Sequence, residues 1–263
     1  MTGPYQLAII GGGNMGAALA GGMLESGSFA ADDLAIVEVV EQRRDQLAEM
    51  FADVSIESAV PPCAAAVLAV KPPGVPEAAS AAVAAGATRL LSIAAGVRLA
   101  TLEVAAGDRV AVVRAMPNTP ALVGLGASAI VAGSNAGPDD VAWAREILLS
   151  VGIVDELPES MLDAFTGVAG SGPAYVFLVA EALGDAAVAA GIPRDTAERV
   201  VAQLLLGAAT LLDQKGDPAA LRTMVTSPGG TTEAGLRALD ECGVRDAFDD
   251  AVRAATARSR ELG

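Results

Sequence analysis

The residues of this sequence that could do chemistry fall in a few short segments, and histidine is not among them. The 263 residues include no His and only two cysteines, Cys63 and Cys242. Mechanisms built on Ser–His–Asp or Cys–His pairs are therefore excluded, and the lack of the commonest zinc ligand leads us to expect no metal site. Any chemistry must rely on a bound cofactor or on Lys, Tyr, Ser, Thr and carboxylate groups.

The first of these segments is a glycine-rich turn with the sequence Gly-Gly-Gly-Asn-Met-Gly at residues 11–16. It follows an apolar run and opens a helical pattern, which is the context that gives the G-x-G-x-x-G fingerprint its meaning. Gly11 permits the tight turn, Gly13 lets the backbone approach a pyrophosphate, and Gly16 allows close helix packing. The turn predicts a dinucleotide site at Gly11, Gly13, Asn14, Met15 and Gly16, where the N–H groups at the helix start stabilise the anion.

An acidic residue, Glu38, ends the second apolar run. In a dinucleotide site, a carboxylate at this place accepts hydrogen bonds from the adenosine ribose and favours NADH over NADPH. Arg43 and Arg44 follow on the next helix and offer an alternative, because they could meet the 2′-phosphate of NADPH. They could also be part of a solvated helix face. The cofactor is therefore predicted to be NADH or NADPH, with NADH favoured.

Short apolar runs alternate with helical patterns in the first half of the chain. Strands are predicted at residues 6–10, 34–39, 66–70, 90–93, 110–115 and 127–131, with an edge strand at 151–156. Helices are predicted between them at residues 14–24, 41–51, 76–84 and 139–149. Strands that alternate with helices predict an α/β fold with a parallel, doubly wound sheet of the Rossmann type.

After Pro158 the pattern becomes entirely helical. Helices are predicted at residues 173–190, 194–214, 218–223, 231–239 and 245–262. We therefore predict two domains, a dinucleotide-binding domain at residues 1–158 and an all-α domain at residues 159–263. The two long helices are apolar over much of their circumference and need burial on every side, so a second subunit is expected to cover them.

Composition limits the partners and the location. The net charge of −15 opposes nucleic-acid binding, since no basic patch is segregated. No apolar stretch in the sequence runs uninterrupted for the roughly 20 residues that a membrane span needs. The N-terminus has no basic region ahead of its apolar residues, so a signal peptide is not indicated. We expect a cytoplasmic protein that binds a small molecule and neither a membrane nor a nucleic acid.

Beyond the glycine-rich turn, four further segments together resemble the pyrroline-5-carboxylate reductase family, whose members catalyse the last step of proline synthesis. The segments are Ala69–Pro72, Ala115–Pro120, Gly170–Tyr175 and Thr226–Thr232. The last of these, Thr-Ser-Pro-Gly-Gly-Thr-Thr, is the most specific. The resemblance implies hydride transfer from NAD(P)H to the imine carbon of (S)-1-pyrroline-5-carboxylate, giving L-proline.

The resemblance also implies further cofactor-binding residues, at Val70, Lys71, Pro72, Ala94, Ala95, Gly96, Pro117 and Asn118. Lys71 can be interpreted without it, because this residue follows an apolar strand. It would then lie at the carboxyl end of the sheet, where open α/β folds bind ligands. A strand-end charge in solvent is the alternative.

The segment Ser227–Thr232 leads from one predicted helix into the next. A helix N-terminus attracts a carboxylate through its free N–H groups and the helix dipole, which suits an amino-acid-like substrate. The alternative interpretation is a helix–helix turn without a ligand, with Gly230 as N-cap and Glu233 as capping partner.

By the resemblance, Thr232 is the catalytic residue, with its hydroxyl against the substrate ring nitrogen. The backbone of Gly230 and Thr231 and the side chain of Ser227 hold the substrate carboxylate, and Thr166 lines the same pocket. The resemblance further implies a dimer whose helical domains interlock, and assembly of such dimers into decamers.

Three other functions are alternatives, and the sequence disfavours the first two. A β-hydroxyacid dehydrogenase also joins these two kinds of domain, but it needs a Lys just after the nucleotide domain, and residues 154–194 contain none. A non-catalytic NAD(P) sensor would need an additional partner module. A reductase of another cyclic imine is also compatible, because one methylene changes discrimination by only about 1 to 3 kcal/mol.

Overall fold

A computed structural model describes residues 4–263 of the chain. The first part of the chain contributes eight strands to a single sheet. The strands are β1 (Tyr5–Ile10), β2 (Leu34–Val37), β3 (Ser55–Glu57), β4 (Cys63–Leu68), β5 (Arg89–Ser92), β6 (Ala111–Met116), β7 (Gly126–Ala132) and β8 (Gly152–Glu156). All seven predicted strands are present within a few residues of their predicted bounds. The three-residue strand β3 was not predicted.

The sheet has the strand order β3-β2-β1-β4-β5-β6-β7-β8. Every neighbouring pair is parallel except β6 and β7, which are antiparallel. From β1 the chain first runs outward through β2 and β3, then returns to place β4 on the other side of β1. The carboxyl ends of β1 and β4 therefore form the topological switch point, where open α/β sheets bind their ligands.

Helices cover both faces of this sheet. They are α1 (Asn14–Ser26), α2 (Glu41–Met50), α3 (Val75–Ala84), α4 (Leu99–Ala106) and α5 (Pro138–Leu149). One core cluster includes Leu19, Leu47 and Trp143, and the other includes Ala79 and Leu102 on the opposite face. Two buried layers around one sheet confirm the predicted doubly wound α/β class. Helix α4 was not predicted.

The remaining helices are α6 (Leu162–Phe165), α7 (Gly172–Ala189), α8 (Arg194–Lys215), α9 (Pro218–Met224), α10 (Thr231–Glu241) and α11 (Val244–Leu262). The chain divides into two compact units: residues up to Ser171 together with Ala255–Gly263, and Gly172–Ala254. The predicted boundary after residue 158 precedes this division and stays a prediction. The all-α character of the second part is confirmed.

The second unit buries few of its apolar side chains. Of the buried hydrophobic residues in the described part of the chain, only Ala197 and Val201 belong to it. Apolar side chains of α7 stay exposed, among them Phe177 and Leu178. A helix that is apolar around its circumference and exposed as a single chain needs a partner to cover it.

The continuous helical stretch Glu159–Ala189 is long and apolar enough to cross a membrane, with a mean hydropathy of 1.3. A single helix of this kind is weak evidence, because the interface helix of an oligomer has the same length and composition. The prediction that the protein does not enter a membrane therefore stays a prediction.

Candidate active site

A cleft of about 770 Å³ opens at the carboxyl edge of the sheet in the first unit. The residues that line it follow the ends of β1, β2, β4, β5 and β6, and thus surround the switch point. Eleven residues predicted to bind cofactor are among them: Gly11, Gly13, Asn14, Met15, Glu38, Val70, Lys71, Pro72, Ala94, Ala95 and Pro117. The structure thus brings together most of the residues predicted from separate segments of the sequence.

Two glycines of the turn differ in what they contribute: Gly11 adopts a backbone conformation that favours glycine, and Gly13 leaves open space beside the backbone. Gly11 has φ +111°, and a Cβ there would lie 2.6 Å from the carbonyl oxygen of Ala69. Gly13 has an ordinary φ of −65°, and a Cβ there would meet no atom within 4 Å. Gly13 therefore borders an open cradle of the kind that a pyrophosphate occupies, so the residues present fit a dinucleotide.

Helix α1 presents its N-terminus to this cradle. Its first intrahelical hydrogen bond runs from Ala17 N to Gly13 O, and no side chain caps the helix at Gly13. The N–H groups of the first turn have no intrahelical acceptor, because a helix leaves its first four donors unsatisfied. These donors and the positive end of the helix dipole form an anion site.

The Glu38 carboxylate is held by backbone at the end of β2. Oε2 accepts from Gly12 N at 3.1 Å, and Oε1 accepts from Val40 N at 2.9 Å. The two residues that follow are apolar yet exposed, Val39 by 80% and Val40 by 55%. Of these residues, Glu38 and Val39 line the cleft, which therefore combines a fixed carboxylate with an apolar side chain at this point.

The two arginines of α2 are bound to backbone carbonyls. Arg43 Nε donates to Gly12 O at 2.8 Å, and Arg44 Nη1 donates to the carbonyl oxygens of Glu38 at 3.0 Å and Val39 at 2.9 Å. The two roles considered from the sequence, phosphate contact and solvated face, stay predictions, because each guanidinium group keeps further N–H groups. In this structure, Arg43 fixes the backbone of the glycine-rich turn, and Arg44 fixes the backbone that follows β2.

Three residues predicted to bind cofactor lie outside the lining of the cleft. Gly16 is buried where α1 passes the backbone of Gly11, and Gly96 has φ +77° and packs against the backbone of Leu262. The amide of Asn118 is engaged on both sides, since Nδ2 donates to Ala169 O at 3.0 Å and Oδ1 accepts from Ala127 N at 2.8 Å. Their role in cofactor binding stays a prediction.

Thr166 opens a single π-helical turn, Thr166–Gly170, in the first unit. Its hydroxyl donates to Leu162 O at 2.7 Å. The turn adjoins the cleft, because the Cβ that Gly170 would carry lies 2.9 Å from the terminal methyl group of Met116, which lines the cleft. A π turn is a rare element that occurs frequently at functional sites.

The loop Ser227–Gly230 belongs to the second unit and leads into α10. Gly229 has φ +67°, and Gly230 is the N-cap of the helix, as in the alternative interpretation of this segment, without a side-chain cap. The Glu233 carboxylate accepts from Gly229 N at 2.6 Å. The first intrahelical bond joins Ala234 N to Gly230 O, so the N–H groups of Thr231 and Thr232 lie at the open start of the helix.

Ser227 and Thr232 flank this helix start. The Cβ that Gly230 would carry lies 2.5 Å from Ser227 Oγ, so the hydroxyl group lies directly against Gly230. Thr232 is half-buried in the first turn of α10. The structure therefore brings together Ser227, Gly230, Thr231 and Thr232, whereas Thr166 belongs to the other unit.

Burial raises the pKa of the Cys63 thiol on β4. The thiol therefore stays protonated at neutral pH, and Cys63 behaves as a small core residue. Within residues 4–263, no group of three or more Cys, Asp and Glu side chains is close enough to hold a metal ion.

Several residues that line the cleft were not predicted as site residues. They are Ile10, Val37, Val39, Ala69, Ile93, Met116, Thr119 and Leu122. Half of them directly follow or end a predicted strand, so their position at the carboxyl edge was the available signal. Apart from Thr119, their side chains are apolar and carry no chemical signature of their own.

The sequence of this chain matches those of known proteins. Residues 159–262 match a family model described as pyrroline-5-carboxylate reductase dimerisation, and residues 6–96 match one described as NADP oxidoreductase coenzyme F420-dependent. The chain is 43% identical to a pyrroline-5-carboxylate reductase of Synechocystis sp., over 98% of both chains.

Solved structures agree with these matches. A pyrroline-5-carboxylate reductase from Coxiella burnetii is 31% identical, with a TM-score of 0.90 over 98% of both chains. A pyrroline carboxylate reductase of Plasmodium falciparum with NADP bound is 29% identical, with a TM-score of 0.85 over 98% of both chains.

Proposed function

Because this chain belongs to the pyrroline-5-carboxylate reductase family of proline biosynthesis, we propose that its cleft binds the dinucleotide and its Ser227–Thr232 loop binds the imine substrate. The protein is an NAD(P)-dependent oxidoreductase that reduces pyrroline-5-carboxylate to proline. The observation that carries the proposal is the open cradle at Gly13, at the N-terminus of α1 and at the switch point of the sheet.

When bound, a nicotinamide cofactor would supply the hydride for the imine carbon. The chain itself supplies orientation, and the free N–H groups at the start of α1 would hold the pyrophosphate. Ala94, Ala95 and Pro117, at the ends of β5 and β6, form the wall of the cleft beyond Gly13. Orientation of this kind is the main demand on the protein, because a protonated imine is already electrophilic and needs no strong acid.

Glu38 supports NADH as the preferred cofactor. Its carboxylate, fixed by Gly12 N and Val40 N, retains lone pairs for the ribose hydroxyl groups and would repel a 2′-phosphate. Val39 and Val40 offer that phosphate no donor from their side chains, and Arg43 Nε and Arg44 Nη1 are engaged with backbone carbonyls.

The helix start at Gly230 supports a role in binding the substrate carboxylate. The N–H groups of Thr231 and Thr232 point out of α10 at the positive end of its dipole, and the Ser227 hydroxyl adds a donor. We assign to Thr232 Oγ1 the hydrogen bond with the ring nitrogen, which carries an N–H group in the protonated imine and keeps it in proline after hydride transfer. The role of Thr166 in lining the substrate pocket stays a prediction.

The helical unit is a dimerisation domain, and the exposed apolar side chains of α7 support a homo-oligomer built through it. Assembly into a decamer and a cytoplasmic location stay predictions.

The test of cofactor choice is the rate at which nicotinamide absorbance falls when pyrroline-5-carboxylate is added with either NADH or NADPH. We expect a higher kcat/KM with NADH. Glu38→Gln keeps the size of the side chain and removes its charge, and should lower kcat/KM for NADH by about tenfold while raising that for NADPH. A wild-type enzyme that prefers NADPH, with no change in Glu38→Gln, would overturn this assignment.

A further inference from the structure

Gly12, inside the glycine-rich turn, is held at both of its backbone polar groups by side chains. Its N–H donates to Glu38 Oε2 at 3.1 Å, and its carbonyl oxygen accepts from Arg43 Nε at 2.8 Å. Gly12 is buried. Glu38 belongs to the short connection between β2 and α2, and Arg43 to the first turn of α2. An anionic side chain therefore binds the N–H group of Gly12, and a cationic side chain binds its carbonyl oxygen.

The arginine contact has a consequence for the neighbouring glycine. The carbonyl group of Gly12 and the N–H group of Gly13 belong to one planar peptide unit, and they point in opposite directions because that unit is trans. A donor that fixes the carbonyl therefore fixes the direction of the Gly13 N–H. A cation on the oxygen also polarises the peptide and makes that N–H a stronger donor.

The placement of Arg43 supports this role independently. Arg43 lies in the first turn of α2, where the helix dipole disfavours a cation, and no side chain caps the helix at Val40. The guanidinium is half-buried, and its Nη1 is further fixed by Gln46 Oε1 at 3.1 Å. The hydrogen bond to Gly12 offsets the unfavourable position of this cation near the positive end of the helix dipole.

We propose that Arg43 is a positioning residue that pre-organises the glycine-rich turn for the dinucleotide, acting through Gly12 without touching the cofactor. The inference rests on the proposed dinucleotide site in the cleft. Since the turn serves the pyrophosphate, which NADH and NADPH share, Arg43 must affect both cofactors alike. An arginine that contacts the 2′-phosphate would affect NADPH alone.

The experiment measures the Kd of the full-length wild type and variants for NADH and for NADPH by nicotinamide fluorescence, together with kcat and KM. Arg43→Leu keeps much of the bulk and removes the donor, so both Kd values should rise by about tenfold while kcat at saturating cofactor changes by less than about twofold. Arg43→Lys keeps a charged donor and should recover part of the affinity. Arg109→Leu removes an exposed arginine outside the cleft and should leave all values unchanged.

An unchanged Kd for NADH in Arg43→Leu would overturn the inference, as would a loss of affinity confined to NADPH. A wild-type enzyme that binds neither cofactor would instead overturn the dinucleotide site itself, and the role of Arg43 with it.

Discussion

The two compact units of this chain differ in how they hold the residues of their sites. In the first unit, two apolar clusters fix both faces of the sheet, and the cleft residues follow strands whose ends are buried. In the second unit, only Ala197 and Val201 are buried hydrophobic residues, and the Ser227–Gly230 loop connects exposed helices.

This difference implies that cofactor binding depends on the fold of one chain, whereas substrate binding depends on the assembly of two. The cleft is built by one chain and needs only its own core. The loop belongs to a unit whose apolar faces require a partner, so its geometry depends on assembly. Cofactor binding and turnover should therefore be separable by substitution.

The largest expected effect comes from Gly13→Val. The position has ordinary backbone angles and open space around it, so the protein should fold normally while the new side chain fills the cradle. We expect the affinity for NADH, measured by fluorescence titration, to fall by at least about 100-fold. Gly137→Val is the matched control, because Gly137 is also an N-cap in extended backbone, at α5 and outside the cleft, and should bind NADH normally. Tight binding by Gly13→Val would remove the turn from the cofactor site.

The next effect is expected on assembly. Phe177 on α7 is 65% exposed in the single chain, and Phe177→Asp places a charge on the face that a partner should cover. An unpaired buried charge is strongly destabilising, so sedimentation should show a monomer, and turnover should fall by about 100-fold with the Kd for NADH within about threefold. Val104→Asp alters an apolar residue of the first unit that is 86% exposed, and should leave the oligomer intact. An active oligomer of Phe177→Asp would contradict the dependence on assembly.

A smaller effect is expected within the loop. Thr232→Ala removes the hydroxyl assigned to the ring nitrogen, and kcat should fall by roughly 10- to 100-fold with the Kd for NADH unchanged. Thr223→Ala removes an exposed hydroxyl of the same unit that donates to Ala219 O, and serves as the control. Normal turnover in Thr232→Ala would exclude that hydroxyl from the reaction.

The contrast between the units also describes what the sequence could predict. Strands of the first unit were found because buried parallel strands produce apolar runs bounded by turn residues. Strand β3 was missed because three half-buried residues leave no such run, and α4 because an eight-residue helix without a capping side chain has a weak pattern. The antiparallel placement of β7 depends on tertiary packing that no local pattern encodes.

Site residues, too, could be predicted only where the structure leaves a local pattern in the sequence. Backbone features that need glycine, such as the positive φ of Gly11, are visible in the sequence because few other residues fit. Side-chain partners are not visible, and this is why the bonds of Arg43 to Gly12 and of Asn118 to Ala169 emerged only from the structure. The π turn that opens at Thr166 likewise has no sequence signature.

The measurement that most directly tests the assignment of the two substrates to the two units is the pair of KM values in Ser227→Ala. The Ser227 hydroxyl lies against Gly230 at the start of α10, where the substrate carboxylate is proposed to bind. Steady-state rates with each substrate varied in turn should show the KM for pyrroline-5-carboxylate raised by about tenfold and the KM for NADH unchanged. A raised KM for NADH with that of the imine unaltered would contradict the assignment.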